Sequence, residues 1–258
     1  MQNNPIEAKS YIYEHPLSER MRLFMRLDSM FEQMRLFHKA DEYYSIQLFL
    51  DALFDVLDFL HRYEIRAEIL KELQRLRILL AREIEHVHIH CRHDEDIDRS
   101  LIEIHDMNFN PISALRENEL FNSLRQRNFN QSGNCLFEVP AYQFWLAKNC
   151  EQGNGFLPYC YSLFSPIAKA IGLILTLVRC GATITEEHTD DGMFLKTLEK
   201  DKKNQLLRVH LAPQYSVFPR ISGDNHRFAI RFMEQPDPQL RSAQTEKPVS
   251  FGLQVCVL

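Results

Sequence analysis

The spacing of apolar residues changes period near Gly181, and that change limits the fold more than any motif does. Upstream, Met21, Phe24, Leu27, Phe31 and Met34 recur at the spacing of one helix face. Downstream, QLLRVHLA, HRFAIRFM and VSFGLQVCV alternate, as strands do when one face is buried. A chain that is helical in period first and strand-like afterwards predicts an α+β fold, with a helical bundle beside a small antiparallel β-sheet.

The first helix is expected to start after Ser18, a natural N-cap, with Glu19 in its first turn. Further helices are expected over residues 41–62, 65–88, 95–106, 112–127 and 158–179, the last stopped by Gly181 in a left-handed C-cap. CLFEVP, residues 135–140, reads as a short strand that joins the sheet from mid-chain. The predicted helical domain is therefore 1–133 with 141–181, and the β domain 134–140 with 182–258.

Composition narrows the function. Thirty Lys and Arg stand against 35 Asp and Glu, a net charge of -5, which argues against a surface built wholesale for nucleic acid. An anion-binding face must then be a local patch. Six scattered cysteines without a CxxC pair predict reduced thiols and a cytosolic setting, and the polar MQNNPIEAKS predicts no secretory signal. The most apolar run, IAKAIGLILTLVRCG, is interrupted by Lys169 and Arg179 and reads as a buried helix. GxSxG, GxxxxGK[ST] and HExxH are absent, so no enzyme and no cofactor is predicted. The stretch HVHIHCRHDEDID holds His86, His88, His90, Cys91, His93, Asp94 and Asp96. His86 and His90 could ligate a metal from one helix face, but no distant second pair matches them, and a solvated helix end explains them as well.

The arginines carry more. In RISGDNHRFAIRFM, Phe228, Ile230 and Phe232 share one strand face, while Arg227, Ala229 and Arg231 share the other. Like charges on one face repel unless an anion covers them. Arg20, Arg22 and Arg26 sit on the first helix, Arg125 and Arg127 end another, and Arg208 and Arg220 belong to the sheet. Arginine's planar fork suits bidentate capture of carboxylate or phosphate, so these residues form a candidate binding face.

Several blocks together resemble the ZapD family of cell-division proteins: YEHPLSERMR, RAEILKELQR, SLRQRN followed by CLFEVPAYQFWL, and RISGDNHRFAIRFM. The resemblance runs from about residue 13 to 257. It implies a non-enzymatic cytoplasmic homodimer, acting at the mid-cell division site. Such a dimer binds the C-terminal tail of FtsZ in a basic pocket and bundles FtsZ filaments at the Z-ring, with no membrane partner. The matching pocket positions are Arg22, Arg227 and Arg231, and the resemblance extends the surface to Arg26, Arg116, Arg125 and Arg127. Glu119 stands where a basic residue is expected, and Gln143 where a histidine is. The alternatives are a basic-patch nucleic-acid binder and, behind it, a His-rich metal-binding protein.

Overall fold

The computed structural model describes residues 10–39, 42–83, 94–128, 139–152, 155–199, 202–237 and 239–257. Eight helices and eight strands lie among them: β1 (Tyr11–Pro16), α1 (Glu19–Phe37), α2 (Tyr43–Arg62), α3 (Ile65–Glu83), α4 (Asp94–Asp106), α5 (Asn110–Glu117), α6 (Glu119–Asn128), α7 (Pro140–Gln152), α8 (Phe156–Cys180), β2 (Thr185–Thr189), β3 (Met193–Thr197), β4 (Leu206–Leu211), β5 (Val217–Gly223), β6 (Arg227–Glu234), β7 (Ala243–Gln244) and β8 (Val249–Cys256). The fold is α+β. The chain divides into two compact units: a β unit takes it up to Met25 and again from Leu175, and a helical unit takes most of what lies between.

In the helical unit, apolar stripes at helical spacing form the core. Ile46, Phe49, Leu50, Leu53 and Leu57 of α2 are buried, as are Ile69, Leu73 and Leu76 of α3. Aromatic pairs tie the elements together, with Phe31 against Phe164 at 6.2 Å and Phe54 against Phe121 at 5.7 Å. Among the described residues, α8 is the one helix long and apolar enough to cross a membrane. Its Phe164, Ile167, Ile171, Ile174 and Val178 are buried in the protein, which marks a core helix.

The β unit is a sandwich of two antiparallel sheets. One runs β1-β4-β8-β2; the other runs β3-β6-β5, with β7 also paired to β6. Leu207, Val209 and Leu211 of β4 and Val249, Phe251 and Leu253 of β8 meet Phe228, Ile230 and Phe232 of β6 in one core. The Phe232 and Phe251 rings lie 4.9 Å apart. Full burial of each such side chain contributes roughly 1.5–3 kcal/mol, so the alternation legible in β6 is what glues the sheets together.

The other face of the first sheet carries a polar ladder. Glu14 of β1 stands directly opposite Arg208 of β4, which stands opposite Gln254 of β8. Arg208 donates to Glu14 at 2.9 Å and to Gln254 at 2.8 Å, and buried His210 bonds the same amide oxygen at 2.8 Å. Arg179 of α8 grips both Glu14 oxygens, at 2.9 and 2.7 Å. Burial raises the Glu14 carboxyl, but Arg179 and Arg208 outweigh it and hold the group below the usual carboxylate range. Arg208 and His210 are therefore internal structure and no part of a free basic face.

Several expectations need correction. The helix expected over 112–127 is two, α5 and α6, because Asn118 turns extended (φ -61, ψ 126) and its side-chain oxygen accepts the Phe121 N–H at 3.1 Å, capping α6. Gly181 follows α8 by donating to the Leu177 carbonyl at 3.1 Å, but among the described residues the positive-φ glycines are Gly192 (φ 72) and Gly223 (φ 156). One small sheet was expected where two stand. The segment leading into α1 forms β1, and β2, β3, β5, β7 and α7 arise where no element was predicted. Pro140, read as the end of a strand, opens α7, a position that tolerates proline's missing N–H. Residues 135–138 of that strand, and His86 through His93, lie outside the described residues.

Candidate functional site

Strand β6 is central in its sheet, hydrogen-bonded to β5 on one edge and to β3 and β7 on the other. Its inward residues are buried while Arg227 and Arg231 are exposed on the outer face. Among the described residues neither guanidinium makes a hydrogen bond or an ion pair. Beside Arg227 lies an open groove of about 430 Å³, lined by Leu195, Lys196 and Thr197 of β3, Ser222 and Gly223 of β5, and Arg227, Phe228 and Ala229 of β6; Arg231 lies outside its lining. The small Ala229 leaves room for the floor. Leu195 is 67% exposed, an apolar wall with nothing over it. Four residues of strand separate the two arginines by about 13 Å.

The hairpin that presents Arg227 is rigidly built. Asp224 accepts from the backbone N–H groups of His226 (2.8 Å) and Arg227 (3.1 Å), and those bonds hold its carboxyl below the ordinary range. Buried Asn204 donates to the Asn225 carbonyl at 3.0 Å while also bonding the Glu199 and Lys202 carbonyls, which staples the turn to the neighbouring loop. Gly223 is required there: a Cβ would stand 2.5 Å from the Arg227 carbonyl oxygen.

Arg22 comes to the same hairpin through His15. The His15 ring donates to the Gly223 carbonyl, and its Nε2 is buried without a partner. Burial first, and then the nearby Arg22 charge, depress the imidazole pKa, so His15 is neutral at pH 7. Arg22 itself pairs with Glu19 at 3.2 Å, an exposed contact of little energetic weight that an incoming anion can displace. The β unit thus carries Arg22, Arg227 and Arg231, and His15 links Arg22 to the turn that presents Arg227.

The remaining sequence candidates belong to the helical unit. Arg26 is exposed, one helical turn beyond Arg22. Arg116 donates to His61 Nδ1 at 2.6 Å, and its Nε is buried without a partner. Arg125 is paired with Asp58 at 2.6 Å. Both are engaged inside their unit, although they line a common hollow with Ser113, Glu117 and Asn122. Arg127 lies on α6, with its side chain outside the described residues. Glu119 and Gln143 are exposed on α6 and α7. Among the described residues no cluster of His, Cys, Asp and Glu could hold a metal.

Arg220 of β5, one of the sheet arginines singled out above, stands directly opposite Arg231, a pairing visible only once the hairpin register is known, by counting outward from the turn. One site component was missed. His15, the link between Arg22 and Gly223, left no signal in a segment read as a lead-in to a helix.

A model of the ZapD cell division protein family matches residues 25–231. The chain belongs to the ZapD family. Proteins named Cell division protein ZapD are similar over nearly their whole length. That of Methylococcus capsulatus is 34% identical over 255 residues, covering 96% of this chain and 98% of the relative. That of Aliivibrio fischeri is 30% identical over 259 residues (95% and 97%), and that of Vibrio parahaemolyticus 29% over 253 residues (95% and 98%). Membership gives the chain a role in cell division, and the outer face of β6 presents two exposed arginines.

Proposed function

We propose that this protein is a non-enzymatic cross-linker of FtsZ filaments that docks the acidic C-terminal tail of FtsZ on the β6 face. The observation that carries the reading is the exposed Arg227–Ala229–Arg231 row, free of ion pairs and backed by a rigid sheet, in a ZapD-family chain. Arg227 and Arg231 bind tail carboxylates through charge-assisted hydrogen bonds, Arg22 adds a third charge at the hairpin, and Leu195 with Ala229 receives an apolar side chain between them. On the helical unit, Arg26 and Arg127 are further candidate contacts, while Arg116 and Arg125 would first have to leave His61 and Asp58.

A single exposed site of this kind is weak and falls off with salt. A cytoplasmic homodimer carries it twice, and filaments at the mid-cell ring display many tails, so avidity gains about 10²–10⁴ without new contacts. Reversible bundling follows, with no nucleotide or metal required. A labelled FtsZ tail peptide should bind the wild-type protein, and Arg227→Ala/Arg231→Ala should bind more than about tenfold weaker at low salt. Unchanged binding by the folded double variant would move the site off this strand. If the wild type ignores the peptide but binds DNA with a steep salt slope, the nucleic-acid reading replaces this one.

A further inference from the structure

The register of the β5–β6 hairpin places Arg220 and Arg231 directly opposite each other. Opposed residues in an antiparallel pair have Cβ atoms about 5 Å apart and project to the same face, and like charges in that arrangement destabilise the pair. The Arg220 guanidinium reaches Ser242 Oγ at 3.4 Å. Ser242 precedes β7, which lies on the opposite edge of β6 from β5, so the Arg220 side chain lies across the outer face beside Arg231. The neighbouring acids are committed elsewhere. Glu234 takes Thr245 (2.6 Å) and Lys247 (3.2 Å), and Asp224 caps its own turn.

We infer that Arg220 is a further recognition residue, closing with Arg231 on one carboxylate of the docked peptide; the inference rests on the tail-binding reading above. A carboxylate has two oxygens and about four acceptor sites, enough for two guanidinium forks, and it converts the bare repulsion into paired charge-assisted contacts. Arg227, about 13 Å along the strand, is too far to share that group and takes a second one. The preferred ligand is therefore an extended peptide with two acidic residues about four positions apart and an apolar residue between, seated over Ala229 beside Leu195 and Ser222.

The test uses the full-length protein, the labelled FtsZ tail peptide, and a peptide set in which each acidic residue in turn is replaced by its amide. Arg220→Ala and Arg231→Ala should each weaken the native peptide about tenfold, and one and the same amidated peptide should be insensitive to both substitutions, as a shared partner requires. Arg227→Ala should map to a different acid. Arg220→Gln serves as a second variant, and the free Tm of both Arg220 variants should match or exceed that of the wild type, because a repulsion has been removed. If Arg220→Ala binds every peptide as the wild type does while Arg231→Ala weakens them, the clamp is wrong and the tail reading stands. Mapping of Arg220 and Arg231 to different acids also overturns the clamp, as does a lower free Tm in both Arg220 variants. Failure of the wild type to bind any tail peptide sinks the tail reading itself.

Discussion

Substituting Gly223 by alanine perturbs the site without removing any of its charges. The added Cβ would lie 2.5 Å from the Arg227 carbonyl oxygen and 2.6 Å from Phe228 Cα and Cβ, at a φ of 156 that side chains rarely adopt. Ordinary contact begins at 3.4 Å, so the turn must give by about 0.9 Å, and the nearest atoms are backbone, which cannot swing aside. Strain of this kind costs on the order of 1–3 kcal/mol. The displaced residues are Arg227 and the core Phe228, so stability and recognition should fall together. Urea unfolding followed by circular dichroism should show a lower midpoint with an unchanged slope. Tail-peptide anisotropy in the same buffer, well below that midpoint, should show affinity reduced several-fold although every arginine is present. Gly155→Ala is the control, since nothing lies within 4 Å of a Cβ there. If Gly223→Ala matches the wild type in both midpoint and affinity, the hairpin is not the rigid mount described above.

Two further outcomes follow from the structure. Glu14 has a folded-state pKa below its ordinary value, so its stabilising contribution is present above about pH 4.5 and is lost as pH falls through the depressed value. Glu14→Gln should lower Tm at pH 7 by roughly 3–8 °C and flatten the acid limb of a Tm-versus-pH curve, and an unchanged acid limb would contradict the ladder. Asn118→Ala should cost about 1 kcal/mol by uncapping α6, whereas Asn118→Ser should recover most of it, as read from urea midpoints.

Much of this was legible because the dominant elements bury one clean stripe. β4, β6 and β8 alternate visibly, and α1, α2 and α3 hold their apolar residues at helical spacing. The missed strands lack that stripe for physical reasons. β1 (YIYEHP) turns Glu14 toward two arginines where an apolar residue would be expected, and β2 (TEEHT) is an edge strand with no apolar residue at all. β5 carries Pro219, which only an edge strand tolerates, and that hides its pairing with β6. Within the candidate site, the outward placement of Arg227 and Arg231 was readable from alternation. The pairing of Arg125 with Asp58 was not, because the two lie far apart in sequence, and neither was that of Arg116 with His61.

The eight residues of β6 are at once the inner wall of the sandwich and its outer arginine face, the one proposed to bind the tail. A one-residue insertion or deletion within them would turn Arg227 and Arg231 into the core and Phe228, Ile230 and Phe232 out to water. Length variation, by which loops usually diversify their binding, is therefore closed to this face. A lineage can retune its affinity for a partner only by exchanging side chains on fixed posts, and a partner that drifts in charge spacing must do its own adjusting.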